Sequence, residues 1–233
     1  SVTGDINVNP TDDETAEVQF EAAVTANAIT VGDDTDAADD GTTLNFEAQT
    51  AVYTVTGAMN NAVAADETVV NVIDATANGA AGTNIITFAS DIGNLVPIDI
   101  INVGSATLGG KGKFSGNVSA TTFNVLGGNH ANEDNVADMD GNLTAAVVLN
   151  DATGTAEITF TGAVDQTLTG AITVAADGEG ILTTANTAGT VTFSAGIGTD
   201  SAKIGASTVA ASNTAVFAAA VASNTLTIAG TAT

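Results

Sequence analysis

The chain has 233 residues, no cysteine, and three basic residues (Lys111, Lys113 and Lys203) against 27 acids, a formal net charge of −24. Disulfide and thiolate chemistry are therefore excluded, and so strong a negative field repels phosphate backbones and anionic lipid surfaces, so no nucleic-acid partner is expected. No apolar run of about 18 residues is present, so no transmembrane helix and no direct membrane insertion are expected.

Taken in order, the chain opens with a strand signal at Asp5–Val8 and an acidic turn at Asp12-Asp13-Glu14. A polar loop spans 32–43, and strand signals return at Leu44–Phe46 and Val52–Val55. Ala58–Ala65 is the best helical candidate, although it is short and unperiodic. Val69–Ile73 and Ile85–Phe88 read as strands. Pro97 interrupts Leu95–Ile101, so that strand sits at an edge or begins after the proline. Further strands are expected near Thr107–Leu108, Phe114–Val118 and Thr122–Leu126. A second polar loop spans 127–142. From Leu143 onward, short Val, Ile, Leu and Thr strands alternate with Gly, Asn, Asp and Ala turns.

One pattern recurs along this length: apolar, x, Phe, x, small, x, Val or Ile. It appears at Val18–Val24, Ile86–Ile92, Gly112–Val118, Ile158–Val164, Val191–Ile197 and Ala215–Val221, with a looser copy at Leu44–Thr50. Side chains two apart share one face of a strand. The motif phenylalanines Phe20, Phe46, Phe88, Phe114, Phe160, Phe193 and Phe217 are therefore expected inside, each beside a small residue that lets layers interdigitate. Their spacings of 26, 42, 26, 46, 33 and 24 suit one or two units of a repeat array. The expected fold is all-β, a repetitive β-solenoid or stacked-strand array, with a β-sandwich or jelly roll as the alternative. The chain reads as a single repetitive domain over 1–233 with two acidic loops. A boundary near 127–142 is the alternative.

The chemistry-bearing residues are few. His130 is the single histidine and lies in a Gly/Asn/Asp loop; it reads as a solvated loop residue rather than a base or a ligand. Asp177 and Glu179 flank Gly178 and read as a turn. Gly109-Gly110-Lys111-Gly112 lacks the phosphate-loop spacing. Polysaccharide cleavage on a β-helix calls for positioned carboxylates, a cationic partner and aromatic platforms. With no Arg, no Trp and one Tyr, no enzyme is expected. Metal binding is the stronger candidate. Asp33, Asp34, Asp36, Asp39 and Asp40 crowd one short run, and Asp134, Asp138 and Asp140, with Asn132 and Asn135, form a second group. Oxygen donors at this density suit Ca²⁺, which accepts irregular coordination. Asn117-Val118-Ser119 and Asn142-Leu143-Thr144 fit the glycosylation sequon but read as chance in an Asn/Thr-rich chain.

In the segments Ile158–Val164, Val191–Gly198 and Phe217–Gly230, the chain resembles the repetitive passenger region of rickettsial outer-membrane protein B-like autotransporters and bacterial surface-layer proteins. The resemblance implies an extracellular β-array on a bacterial cell surface. The function expected from these readings is a non-enzymatic structural protein, a self-assembling surface-layer or filament subunit stabilised by Ca²⁺, whose partners are other copies of itself. The alternative is an adhesin module that binds a host or glycan ligand.

Overall fold

The computed structural model describes residues 4–9, 15–32, 41–49, 52–63, 67–74, 84–128, 134–151 and 153–233. Among them there is no helix. The strands in chain order are β1 (Ile6–Val8), β2 (Ala16–Phe20), β3 (Val24–Val31), β4 (Gly41–Ala48), β5 (Tyr53–Asn61), β6 (Glu67–Asp74), β7 (Ile86–Phe88), β8 (Ile98–Val103), β9 (Lys111–Phe114), β10 (Val118–Leu126) and β11 (Asp134–Met139). They continue as β12 (Leu143–Asn150), β13 (Thr155–Phe160), β14 (Gln166–Thr169), β15 (Ile172–Val174), β16 (Ile181–Thr184), β17 (Thr190–Phe193), β18 (Ile204–Val209), β19 (Thr214–Phe217), β20 (Ser223–Ile228) and β21 (Thr231–Ala232).

Strand pairing is parallel throughout, each strand joining strands of the adjacent coils, in two sheets of ten and eleven strands. Parallel strands need crossover connections and cannot form hairpins, so the chain winds as a β-solenoid and the sandwich alternative falls. Strict alternation drives the winding. β4 and β6 present every second side chain to the interior and the others outward, which fixes register because a one-residue slip would invert both faces.

The interior is a set of ladders. One runs Ile6, Ile29, Met59, Ile92, Val118, Leu143, Leu168, Phe193, Phe217. A second runs Val24, Val55, Phe88, Phe114, Met139, Phe160, Thr184, Val209, Ile228. A third runs Val18, Leu44, Val70, Ile101, Phe123, Val147, Ile172, Ile197, Val221. A fourth starts Phe20, Phe46, Val72, Val103, Val125. All four pass residues 127–142 without a break. Apart from Thr184 and Ile228, their side chains belong to or pack on one hydrophobic core.

The seven motif rings face this core. Phe46, Phe88, Phe114, Phe160 and Phe193 are fully buried, and Phe20 and Phe217 are half-buried at the first and last rungs. Rings hand over between ladders as well as along them. Phe20 stacks on Phe46 at 5.0 Å, Phe46 meets Phe88 edge-on at 5.1 Å, Phe88 stacks on Phe114 at 5.2 Å, and Phe114 meets Phe123 at 5.4 Å. Phe160, Phe193 and Phe217 form a second series at 5.5 and 5.2 Å.

The motif marks a corner of the coil rather than the coil itself. Phe88 and Phe114 lie on the second ladder with Ile92 and Val118 on the first; Phe193 and Phe217 lie on the first with Ile197 and Val221 on the third; Phe20 lies on the fourth with Val24 on the second. The small residue sits at the bend between two strands. At Gly116 a Cβ would meet the Ser90 carbonyl carbon at 2.5 Å and the Asp91 nitrogen at 2.6 Å. Close approach of the neighbouring coil sets its size, instead of interdigitation beside the ring. The copy at Phe160 breaks the pattern: Val164 is 65% exposed, because the step to the next ladder lengthens and Leu168 takes the inner place.

Other expectations are corrected locally. The helical candidate holds the end of β5: Ala58–Asn61 is strand, with Met59 and Asn61 turned inward, while 64 and 65 lie outside the described residues. Thr107–Leu108 is a turn closed by the Ser105 N–H donating to the Leu108 carbonyl at 2.8 Å. Within the second polar loop, 134–139 is β11, and Gly41–Thr43 of the first already belongs to β4. β8 begins at Ile98, directly after Pro97.

Candidate functional site

Of the eight candidate metal ligands, Asp33, Asp34, Asp36, Asp39 and Asp40 lie outside the described residues, as do His130 and Asn132. Asp134, Asp138 and Asp140 lie on or just after β11, and each is engaged with a neighbouring coil. Asp134 accepts from the Thr155 hydroxyl at 3.0 Å. Asp140 pairs with Lys113 Nζ at 3.0 Å and accepts from the Thr161 hydroxyl at 2.8 Å. Asp138 sits between Lys113 of β9 and Thr159 of β13 in register. Burial pushes its carboxyl above the ordinary range; Lys113 and Lys111 oppose this, and Asp140 and Glu157 add to it. Asn135 is buried, accepting from the Gly110 N–H at 2.6 Å and donating to the Thr155 carbonyl at 3.1 Å. Among the described residues no three His, Cys, Asp or Glu side chains converge as a metal group.

Asp177 and Glu179 do form a turn: Asp177 accepts from the Lys203 N–H at 2.8 Å and Glu179 from the Ala176 N–H at 3.0 Å. Gly110 and Gly112 pack against the Val72 carbonyl and the Phe114 ring, so that glycine run serves close coil packing.

Three arrangements emerge that the sequence reading did not assemble. The first is a set of side-chain staples between coils. Asp91 accepts from the Asn117 N–H at 2.7 Å, Asn117 from the Asn142 N–H at 3.0 Å, and Asn142 from the Thr167 N–H at 2.8 Å. Asp165 does the same for the Thr190 N–H at 2.8 Å. Both sequon asparagines are therefore structural acceptors whose amides remain exposed.

The second is an amide ladder on the outer face. Asn124 donates to Asn102, Asn102 to Asn71 and Asn71 to Asn45, each at 2.8 Å, and Asn45 donates to Glu17 at 2.6 Å. Its spacing along the chain is uneven, which hid it from sequence reading.

The third is a regular polar face. Val118, Leu143, Leu168 and Phe193 succeed one another on the first ladder every 25 residues. The residues before them (Asn117, Asn142, Thr167, Thr192) and after them (Ser119, Thr144, Thr169, Ser194) point outward and are exposed or half-exposed. The result is an uncharged hydroxyl and amide grid, two residues wide, with rungs about 4.8 Å apart. A shallow cavity of about 310 Å³ lies at its first rungs, lined by Ile92, Asn94, Ser119 and Thr144 among others. The equal spacing was a signal available in the sequence.

No protein-family model, no curated protein and no solved structure matches this chain.

Proposed function

We propose that the chain is a non-enzymatic structural module, a stiff β-solenoid that acts as a subunit of an extracellular filament or surface layer. The observation that carries this reading is the unbroken core ladder from Ile6 to Phe217. Staples and amide ladders reinforce it from coil to coil, so bending the rod would break many bonds at once. Asp91, Asn117, Asn142, Asp165 and the Asn45–Asn124 amides all bond from one coil to the next, which is the economy of a scaffold. The resemblance to autotransporter passengers and surface-layer proteins supports placement on a bacterial cell surface. Electron microscopy of concentrated protein tests the reading: strings or sheets of rods are expected, and dispersed compact particles under all conditions would count against it.

A second reading, an adhesive module that binds a neutral glycan, is favoured by one observation. The grid around Leu143 and Leu168 offers hydroxyls and amides at a constant repeat, with the cavity beside Ser119 and Thr144. A glycan array tests it: binding that survives replacement of Thr144 and Thr169 by lysine would refute this face as the contact.

A further inference from the structure

Three buried oxygens without a partner lie near one corner inside the stack. Asn61 closes β5 and is 3% exposed, and Thr68, second in β6, is fully buried. Among the described residues, Asn61 Oδ1 and Thr68 Oγ1 meet no hydrogen-bond partner. Thr42, the register partner of Thr68 on β4, is 1% exposed, and its Oγ1 is unpartnered in the same sense. A buried oxygen with no partner is costly to fold around, so each one calls for an ion, a water or a ligand.

A carboxylate stands beside them. Asp99 Oδ2 accepts from the Thr68 N–H at 3.0 Å and from Asn61 Nδ2 at 3.3 Å, and Asn61 Nδ2 also donates to the Pro97 carbonyl at 2.9 Å. Those two bonds hold the amide by its nitrogen and leave the oxygen as its free end. Thr68 and Asp99, with Glu67 and with Thr121 and Thr122 of β10, line a cavity of about 310 Å³. Glu67 and Thr121 are exposed and mark its mouth. No cationic side chain lines it. The chain as a whole carries −24 charges, a field that concentrates cations at such a cleft. Elsewhere the orphaned oxygens lack this setting: Asn186 and Asn213 donate to backbone carbonyls of their own turns.

We propose that Asp99, Glu67, Thr68 and Asn61 form a binding site for one hard divalent cation of calcium's size, joining β5, β6 and β8. Two carboxylates supply charge, and the Thr68 hydroxyl and the Asn61 carbonyl oxygen supply neutral donors already stripped of water. Ca²⁺ takes six to eight oxygens in irregular geometry, so water at the cavity mouth completes the set; Mg²⁺ demands a tighter octahedron and gives up its own water reluctantly. Only two of the donors are acids, and they come from different strands, so no acidic run in the sequence announces the site. The proposal is independent of the filament or surface-layer reading, because it needs this corner and not assembly.

The test is a calorimetric Ca²⁺ titration of the intact 233-residue chain at fixed ionic strength, which holds screening of the other acids constant. One saturable event is expected, with a dissociation constant of about 10⁻⁴–10⁻³ M, the range of open sites with few charged ligands. The thermal midpoint should rise with Ca²⁺ and not with equal Mg²⁺. D99N and E67Q are each expected to weaken the event about tenfold or more; E67Q alters an exposed side chain and keeps the test open should D99N fail to fold. D165N, an acid at a different corner, is expected to bind like the parent. N61D places a third carboxylate in the site, so its midpoint should fall below the parent's in chelator and recover in Ca²⁺. Heats that never saturate, heats that Mg²⁺ matches, or a saturable event that survives in both D99N and E67Q would each overturn the proposal. An N61D midpoint that Ca²⁺ does not restore would overturn it as well, and would mean that the orphaned oxygens hold water alone.

Discussion

At the scale of single residues, the rings carry the largest share of what can be lost. Phe114 is fully buried, stacked on Phe88 and edge-on to Phe123. Phe114→Ala is expected to cost about 3–5 kcal/mol by denaturant titration, since a rigid stack of coils cannot collapse into the hole. Phe217→Ala, at the half-buried last rung, is expected to cost clearly less. Asp138 gives a prediction of opposite sign. Its carboxyl is raised above 3.8 chiefly by burial, so the folded state holds the proton more tightly than the unfolded state. Stability from this group therefore falls as pH rises from the ordinary carboxylate range through the raised value. Lys113, Lys111, Asp140 and Glu157 surround it, and Lys113 is already committed to Asp140. Asp138→Asn is expected to raise the thermal midpoint at neutral pH, with the gain vanishing below the ordinary carboxylate range.

At the scale of elements, the bend between strands is where backbone meets backbone. Gly116 to Ala removes chain freedom in the unfolded state, which alone would stabilise by about 0.4–1 kcal/mol. The added Cβ would also sit 2.5 Å from the Ser90 carbonyl carbon and 2.6 Å from the Asp91 nitrogen. Those are main-chain atoms of a neighbouring coil that cannot rotate away, so the clash is expected to win. Gly116→Ala should lower the denaturation midpoint, whereas Gly196→Ala, whose nearest atom is 3.7 Å away, should not. The same geometry explains what was legible. Phe and Val or Ile at fixed offsets announced side chains turned to one interior, and that much holds at Phe88, Phe114 and Phe193 with Ile92, Val118 and Ile197; the bend at the small residue between them was not legible, because the motif read as one continuous strand. Which corner each copy occupies was not legible, because several corners of the coil use the same local chemistry. Val164 was read as interior on pattern alone, and only the longer path to Leu168 puts it outside. Ala58–Ala65 looked helical by composition, yet Met59 pairs with Ile29 and Ile92, and tertiary pairing overrides alanine's propensity. The polar grid needs the register of Leu143 and Leu168 before its outward residues can be recognised as neighbours.

At the scale of the whole molecule, a stack in which each coil touches only its neighbours is stabilised rung by rung, so damage to one rung is felt first by the rungs on either side of it. Salt is the lever on how closely such rods approach one another. With −24 charges on 233 residues, repulsion between copies is long-ranged at low ionic strength and shrinks to about 8 Å at physiological salt. Hydrogen exchange reads the rung-by-rung coupling on one molecule. β9 pairs with β7 on one side and β11 on the other, so Phe114→Ala is expected to speed exchange at β7, β9 and β11 well before it does so at β18. Acceleration that appears evenly from β1 to β20 would mean that the coils open as one unit.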